Sequence, residues 1–206
     1  MKCAILSGGI AAGKTTVVRL LSPKLNAGAQ WFLADECIRT AYALPDLRLA
    51  LIKTFGVLMR PNERQAIEDE ESGDRLRRWL REYVLPSEEQ RRCLESILHP
   101  YVLMALEDVR RKREGNLLVA EVPLHYEIGE VISADLVIVV AASRSVQVRR
   151  MMENRGLDQA TAQAFLNAQW PIEAKVEKAD AVIWNDGDPS ALECQTLLFA
   201  NILNLE

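Results

Sequence analysis

Five short apolar runs limit the fold more than any other feature of the chain: "CAIL" at 3–6, "WFLA" at 31–34, "LLVA" at 117–120, "DLVIVV" at 135–140 and "DAVIW" at 180–184. Each run is continuous rather than alternating, which is the pattern of strands buried on both faces of a parallel sheet. Helical patterns fill the intervals. Val17, Leu20 and Leu21 recur at i, i+3, i+4, and Ser87 with Gln90 forms a capping box ahead of Leu94, Ile97 and Leu98. Asp188 and Pro189 make a cap and first-turn pair for a last helix striped by Ala191, Cys194, Leu198, Ile202 and Leu205. Strand alternating with helix predicts an α/β fold with a doubly wound, five-stranded parallel sheet and a ligand at the carboxyl ends of the strands. Residues 60–92 break the alternation, being crowded with Arg, Glu and Asp. They read as a helical insertion, although the charge alone also fits a solvated helical face.

The first run leads into "SGGIAAGKTT", which matches G-x-x-x-x-G-K-[ST] at Gly8, Gly13, Lys14 and Thr15. The pattern has a mechanism. Successive backbone N–H groups of a glycine-bearing loop wrap an anion that also sits on a helix N-terminus. Here the match follows a buried-strand pattern and opens an amphipathic helix, the context that the mechanism requires. Gly8, Gly9, Ile10, Ala11, Ala12, Gly13, Lys14, Thr15 and Thr16 are therefore the expected nucleotide-binding residues, with Lys14 on the β- and γ-phosphates of ATP and the Thr15 hydroxyl on Mg²⁺. The loop identifies a nucleoside triphosphate without selecting a second substrate.

With 206 residues the chain is long enough for one domain carrying an insertion. A formal charge of −4 argues against nucleic acid as the main ligand. Cys3, Cys37, Cys93 and Cys194 are widely spaced and form no C-x-x-C, so neither a zinc site nor a disulfide framework is expected, and a reducing, cytoplasmic location fits. No run has the length of a membrane span. Nothing in the sequence selects an oligomeric state.

Beyond the loop, the chain resembles the dephospho-coenzyme A kinases nearly end to end. "LADECIR" at 33–39 is similar to the family's D-A-D-x-I-A-R, "VPLHYE" at 122–127 to V-P-L-L-F-E, and "QWPIEAKVEKADAVIWNDG" at 169–187 to Q-x-P-x-x-x-K-x-x-x-A-D-x-V-I-x-N-x-G. "FG" at 55–56, "RRCLESILHP" at 91–100, and Gln147 with Arg150 complete the set. The resemblance implies a single kinase domain over 1–206, with an acceptor-binding helical insertion at about 56–113 and a lid at about 144–170. It implies transfer of a phosphoryl group from ATP to dephospho-coenzyme A, a small-molecule acceptor.

By position, the resemblance makes Asp35 the base on the acceptor hydroxyl, and phosphoryl transfer does require a group that orients the hydroxyl and takes its proton. A second reading of Asp35 is the N-cap of the helix that follows. His99 is implied in the acceptor pocket; it is otherwise a residue at a Pro100 kink. Arg77 or Arg78 is implied on acceptor phosphates, and Glu127 matches the closing acid of V-P-L-L-F-E in the substrate region. Glu121 stands where such proteins place an acid that reaches the metal through water, with a structural acid as the alternative.

Three departures accompany the match. Leu33 replaces the first aspartate of D-A-D, Trp184 replaces the aspartate of V-I-D-N, and Asn154 and Arg155 invert the family's common Arg, Asn order. At about 100° per residue, Arg155 lies roughly 140° around the lid helix from Arg150, which makes Arg150 the better placed of the two toward a phosphate. A nucleotide-binding protein without catalysis on the same fold, or a kinase for another small molecule, is the alternative that the departures leave open.

Overall fold

The computed structural model describes residues 2–69, 72–112, 114–128 and 132–205. Two compact units divide it, one built from residues 1–33 and 109–206 and the other from residues 34–108.

The first unit is the α/β unit. Its strands are β1 (Lys2–Gly8), β2 (Ala29–Leu33), β3 (Leu117–Glu121), β4 (Leu136–Ala141) and β5 (Ala181–Trp184). They form one parallel sheet in the order β2-β3-β1-β4-β5. Continuous apolar runs are satisfied here because helices cover both faces: Cys3 to Ser7, Leu118 to Glu121 and Ile138 to Ala141 are buried without a break. Aspartates tie down the strand margins. Asp135 accepts from Cys3 N at 2.7 Å, and Asp180 from Val137 N at 2.7 Å.

Helix α1 (Lys14–Leu21) buries Val17 and Leu21 against the sheet. Two helices follow β4, numbered by their place in the chain: α7 (Arg144–Arg155), which stops at Gly156 in the left-handed conformation (φ 65°), and α8 (Gln159–Asn167), capped by Asp158 accepting from Thr161 N at 2.9 Å. Helix α9 (Ile172–Lys178) follows, and α10 (Pro189–Leu205) closes the chain behind Asp188, which accepts from Ser190 N at 2.8 Å.

The last helix corrects the expected stripe. Leu192, Thr196, Ala200 and Leu203 face the core, whereas Leu198 is 63% exposed and Ile202 43%; the side chain of Leu205 lies outside the described residues. The helix is apolar on nearly all sides, so periodicity selects no face and packing against Val17 and Leu21 decides.

The second unit is wholly helical. It contains α2 (Ala34–Ala41), α3 (Pro45–Phe55), α4 (Pro61–Glu68), α5 (Asp74–Tyr83) and most of α6 (Glu88–Lys112). It begins at residue 34 because α2 and α3 give their apolar faces to this core: Ala41, Leu47, Leu51, Ile52 and Phe55 pack with Leu76, Leu80 and Leu94. The charged stretch is amphipathic rather than merely solvated, burying Leu76, Trp79 and Leu80 at i, i+3, i+4. Only half of the capping box forms at α6. Gln90 N donates to Ser87 Oγ at 3.4 Å, but Ser87 N bonds Val84 O, leaving the Gln90 side chain nothing to cap. Helix α6 runs on through Pro100.

Candidate active site

The loop at the carboxyl end of β1 is built from residues that few others could replace. Gly13 precedes α1 at φ 102°, and a Cβ there would stand 2.2 Å from Asn185 Nδ2. Only glycine meets both conditions. Ala11 also takes a positive φ, 54°, inside the loop. Lys14 folds back over the turn, its Nζ donating to Gly9 O at 2.9 Å and Gly8 O at 3.3 Å. An ammonium above loop carbonyls, beside the N-terminus of α1, is an anion site assembled by local chemistry alone. Thr15 is exposed on the first turn of α1, with Thr16 half-buried beside it.

The α/β unit holds this loop from outside. Ile10 N donates to Gln169 Oε1 at 2.9 Å, and Ile10 O accepts from Gln147 Nε2 at 2.7 Å, so the two peptide groups that flank one residue are both gripped. Gln147 is buried and comes so near Gly9 that a Cβ at that glycine would meet Nε2 at 2.2 Å. Arg150 Nη1 reaches Ala11 O at 3.3 Å and Ala12 O at 3.4 Å, while its Nη2 donates to Asn185 O at 2.8 Å. Asn185 Nδ2 in turn donates to Ala12 O at 2.8 Å. Arg155 is exposed on the last turn of α7. Ile10 and Ala11 also pack against the small core that Met151 of α7 forms with Ala162 and Leu166 of α8.

Sequence reading named no role for Gln169 or Asn185, nor for Lys175, although all three lie within the quoted 169–187 segment. Lys175 is fully buried and pairs with Glu127, Nζ to Oε1 at 2.6 Å; the same Oε1 accepts from Trp170 N at 3.0 Å. Glu127, expected in the substrate region, is thus placed inside an ion pair. Its neighbours His125 and Tyr126 stand where the family pattern has Leu and Phe. The Nδ1 of His125 and the hydroxyl of Tyr126 are buried with no hydrogen-bond partner among the described residues. Burial holds the His125 pKa down, with the Lys175 charge acting the same way and Glu127 opposing it. Tyr126 stacks on Trp170, with ring centroids 6.0 Å apart.

Glu121 ends β3, buried, in register with both Leu6 and Leu33. Leu33 thereby sets an apolar side chain beside Glu121 where the family pattern has its first aspartate. Trp184, at the end of β5, is 43% exposed and donates from Nε1 to Asp186 Oδ2 at 3.1 Å.

In the helical unit, Asp35 and Arg77 line one cavity of about 550 Å³ together with Arg39, Tyr42, Arg81 and Glu95. Asp35 is exposed and is the second residue of α2, so it lies within the first turn and the cap position falls on Leu33. Burial pushes the Tyr42 phenol up to about 12, which keeps its proton in place at neutral pH. Arg77 also pairs with Asp74 at 3.5 Å. His99 follows Leu98, which lines the cavity, and precedes Pro100 within α6.

A five-stranded parallel sheet with this loop on its central strand and a helix, α7, bonded to the loop's carbonyls defines a P-loop kinase. A profile of the family described as dephospho-CoA kinase matches residues 3–190. The dephospho-CoA kinase of Anaeromyxobacter dehalogenans is 38% identical over 197 residues, covering 93% of this chain and 87% of its own. That of Geobacillus kaustophilus is 34% identical over 187 residues, covering 88% and 87%. A crystal structure of a Thermus thermophilus protein superposes with a TM-score of 0.72 at 27% identity, over 98% of this chain and 97% of that one. The chain belongs to the dephospho-CoA kinase family. It is a kinase that uses a nucleotide and acts on a small molecule. No helix among the described residues is long and apolar enough to cross a membrane.

Proposed function

We propose that the protein, in the cytoplasm, transfers the γ-phosphoryl group of ATP to the ribose 3′-hydroxyl of dephospho-coenzyme A, giving coenzyme A and ADP. One observation carries the reading: the loop of residues 8–15 with Lys14 folded over it, within a chain whose family match runs from residue 3 to residue 190.

The 3′-oxygen attacks the γ-phosphorus in line as the bond from that phosphorus to the β,γ-bridging oxygen breaks. The bonding pair leaves with ADP, and the hydroxyl proton passes to Asp35. Lys14 stabilises charge on the moving phosphoryl group, which works best from a preorganised position such as the one the Gly8 and Gly9 carbonyls impose. Arg150 adds a second cation from the lid. Arg77 and His99 bind the acceptor. Phosphorylation needs no large conformational store of energy in these groups, only their placement.

Hydroxyl and carboxylate oxygens suit Mg²⁺, a hard cation that keeps several of its waters, and Thr15 and Glu121 are donors of that kind. Thr15 would hold the ion directly and Glu121 through water; bound there, Mg²⁺ supplies charge neutralisation of the β- and γ-phosphates.

The test is to incubate the purified chain with Mg-ATP and, separately, dephospho-coenzyme A, adenosine, AMP and shikimate, and to read products by mass. A phosphorylated product from dephospho-coenzyme A alone is the expected result. ATP binding with no product from any acceptor would favour a nucleotide-binding protein that does not catalyse.

A further inference from the structure

We propose that the buried Glu127 and Lys175 pair positions the phosphate loop, acting through Gln169. The proposal rests on the reading that this loop holds ATP. Lys175 stands on α9 and Glu127 on the segment after β3, 48 residues apart in sequence, and their contact of 2.6 Å is sealed from solvent on the lysine side. Two charges buried together gain little net stability over an apolar pair of the same volume, so what such a pair supplies is a fixed geometry.

The geometry it fixes is that of the 169–170 peptide. Glu127 Oε1 faces Lys175 and also accepts from Trp170 N at 3.0 Å, which pins the backbone directly beside Gln169. Pro171 and the start of α9 follow at once, so the segment has little freedom to slide. From this seat Gln169 takes the N–H of Ile10, and Gln147 holds the carbonyl of the same residue. That N–H therefore points to Gln169, and Ala12 N turns inward to Gly9 O at 3.3 Å, which leaves the anion to the other N–H groups of the loop, with Ala11 held at its positive φ. Glu127, Lys175 and Gln169 are positioning residues, since none of them needs to touch the nucleotide for its loss to be felt there.

A double-mutant cycle on the full chain tests this, read by calorimetric titration with Mg-ATP in the absence of acceptor. One axis is Gln169→Met, which removes the acceptor of Ile10 N at similar volume. The other is the neutral pair Glu127→Gln with Lys175→Met, because losing a single charge would strand its partner in the interior. Each axis is expected to weaken ATP binding about tenfold, and the two together no more than about threefold beyond either alone, since both act through one contact. The KM for dephospho-coenzyme A should stay within about twofold, a separation that general loosening of the fold would not preserve.

Losses that multiply, or a neutral pair that binds ATP like the wild type, overturn the proposal. If circular dichroism shows that the neutral pair does not fold, Gln169→Met decides alone: a loss of ATP affinity under about threefold overturns the proposal and a larger one upholds it. A wild-type protein that binds ATP yet leaves dephospho-coenzyme A unphosphorylated would sink the functional reading, while the titration would still decide this one.

Discussion

Asp35 separates two chemical roles by a single atom exchange. An aspartate that takes a proton in the transition state loses that capacity as asparagine, whereas ground-state contacts in the cavity of Asp35, Tyr42 and Arg77 largely survive. Asp35→Asn is therefore expected to lower kcat by about a hundredfold or more while moving either KM by less than about threefold. Steady-state kinetics at saturating ATP checks it, and a near-normal kcat would assign the base elsewhere. His125 is testable by pH. Burial lowers its folded pKa below the unfolded value of about 6.5, so the unfolded chain binds the proton more readily and ΔG of unfolding rises with pH through that window. The stability that neutral His125 permits is complete above the unfolded pKa and is lost as pH falls through the lowered folded one. His125→Leu, which installs the residue of the family pattern, should widen its Tm advantage over the wild type as pH drops from about 7.5 to 5.5. A constant difference across that range would mean that His125 titrates alike in both states. At this scale, Lys14 and the glycines were legible because their chemistry is local to eight residues. Lys175 with Glu127, and Gln169 with Ile10, were not, because each role exists only when distant segments meet.

Helix α7 shows how much a helix adds to the residues it carries. Helix α7 runs regularly to Arg155 and stops on the left-handed Gly156, so Arg150 and Arg155 stay on different sides and only Arg150 bonds the loop carbonyls. Arg150→Ala should cost at least about tenfold more in kcat than Arg155→Ala, measured at saturating substrates, and exchanging Asn154 with Arg155 should raise activity. Equal losses, with no gain from the exchange, would show that Arg155 already serves the phosphates. The separation of Arg150 from Arg155 was legible, because a regular helix fixes the angle between positions five apart. The buried face of α10 was not: Leu192 and Leu203 were chosen over Leu198 and Ile202 by packing against α1, a contact that periodicity in a mostly apolar helix does not encode. Ala34 failed for a related reason. It continues an apolar run in sequence but begins α2, and the strand ends at Leu33.

For the whole molecule, the sheet was legible and the division of the chain less so. Continuous apolar runs located five strands within a residue or two because burial on both faces leaves no polar side to interrupt them. The helical unit starts at 34 because α2 and α3 belong to its core, and apolar helices do not announce which core they join. The central claim concerns one bond made by the entire chain, and the most direct measurement is the site of phosphorylation on the product. With Mg-ATP and dephospho-coenzyme A, proton-correlated ³¹P NMR should show a new phosphomonoester coupled to the ribose H3′, with one ADP formed for each. A phosphate on any other carbon, or ADP formed with the acceptor unchanged, would contradict the account.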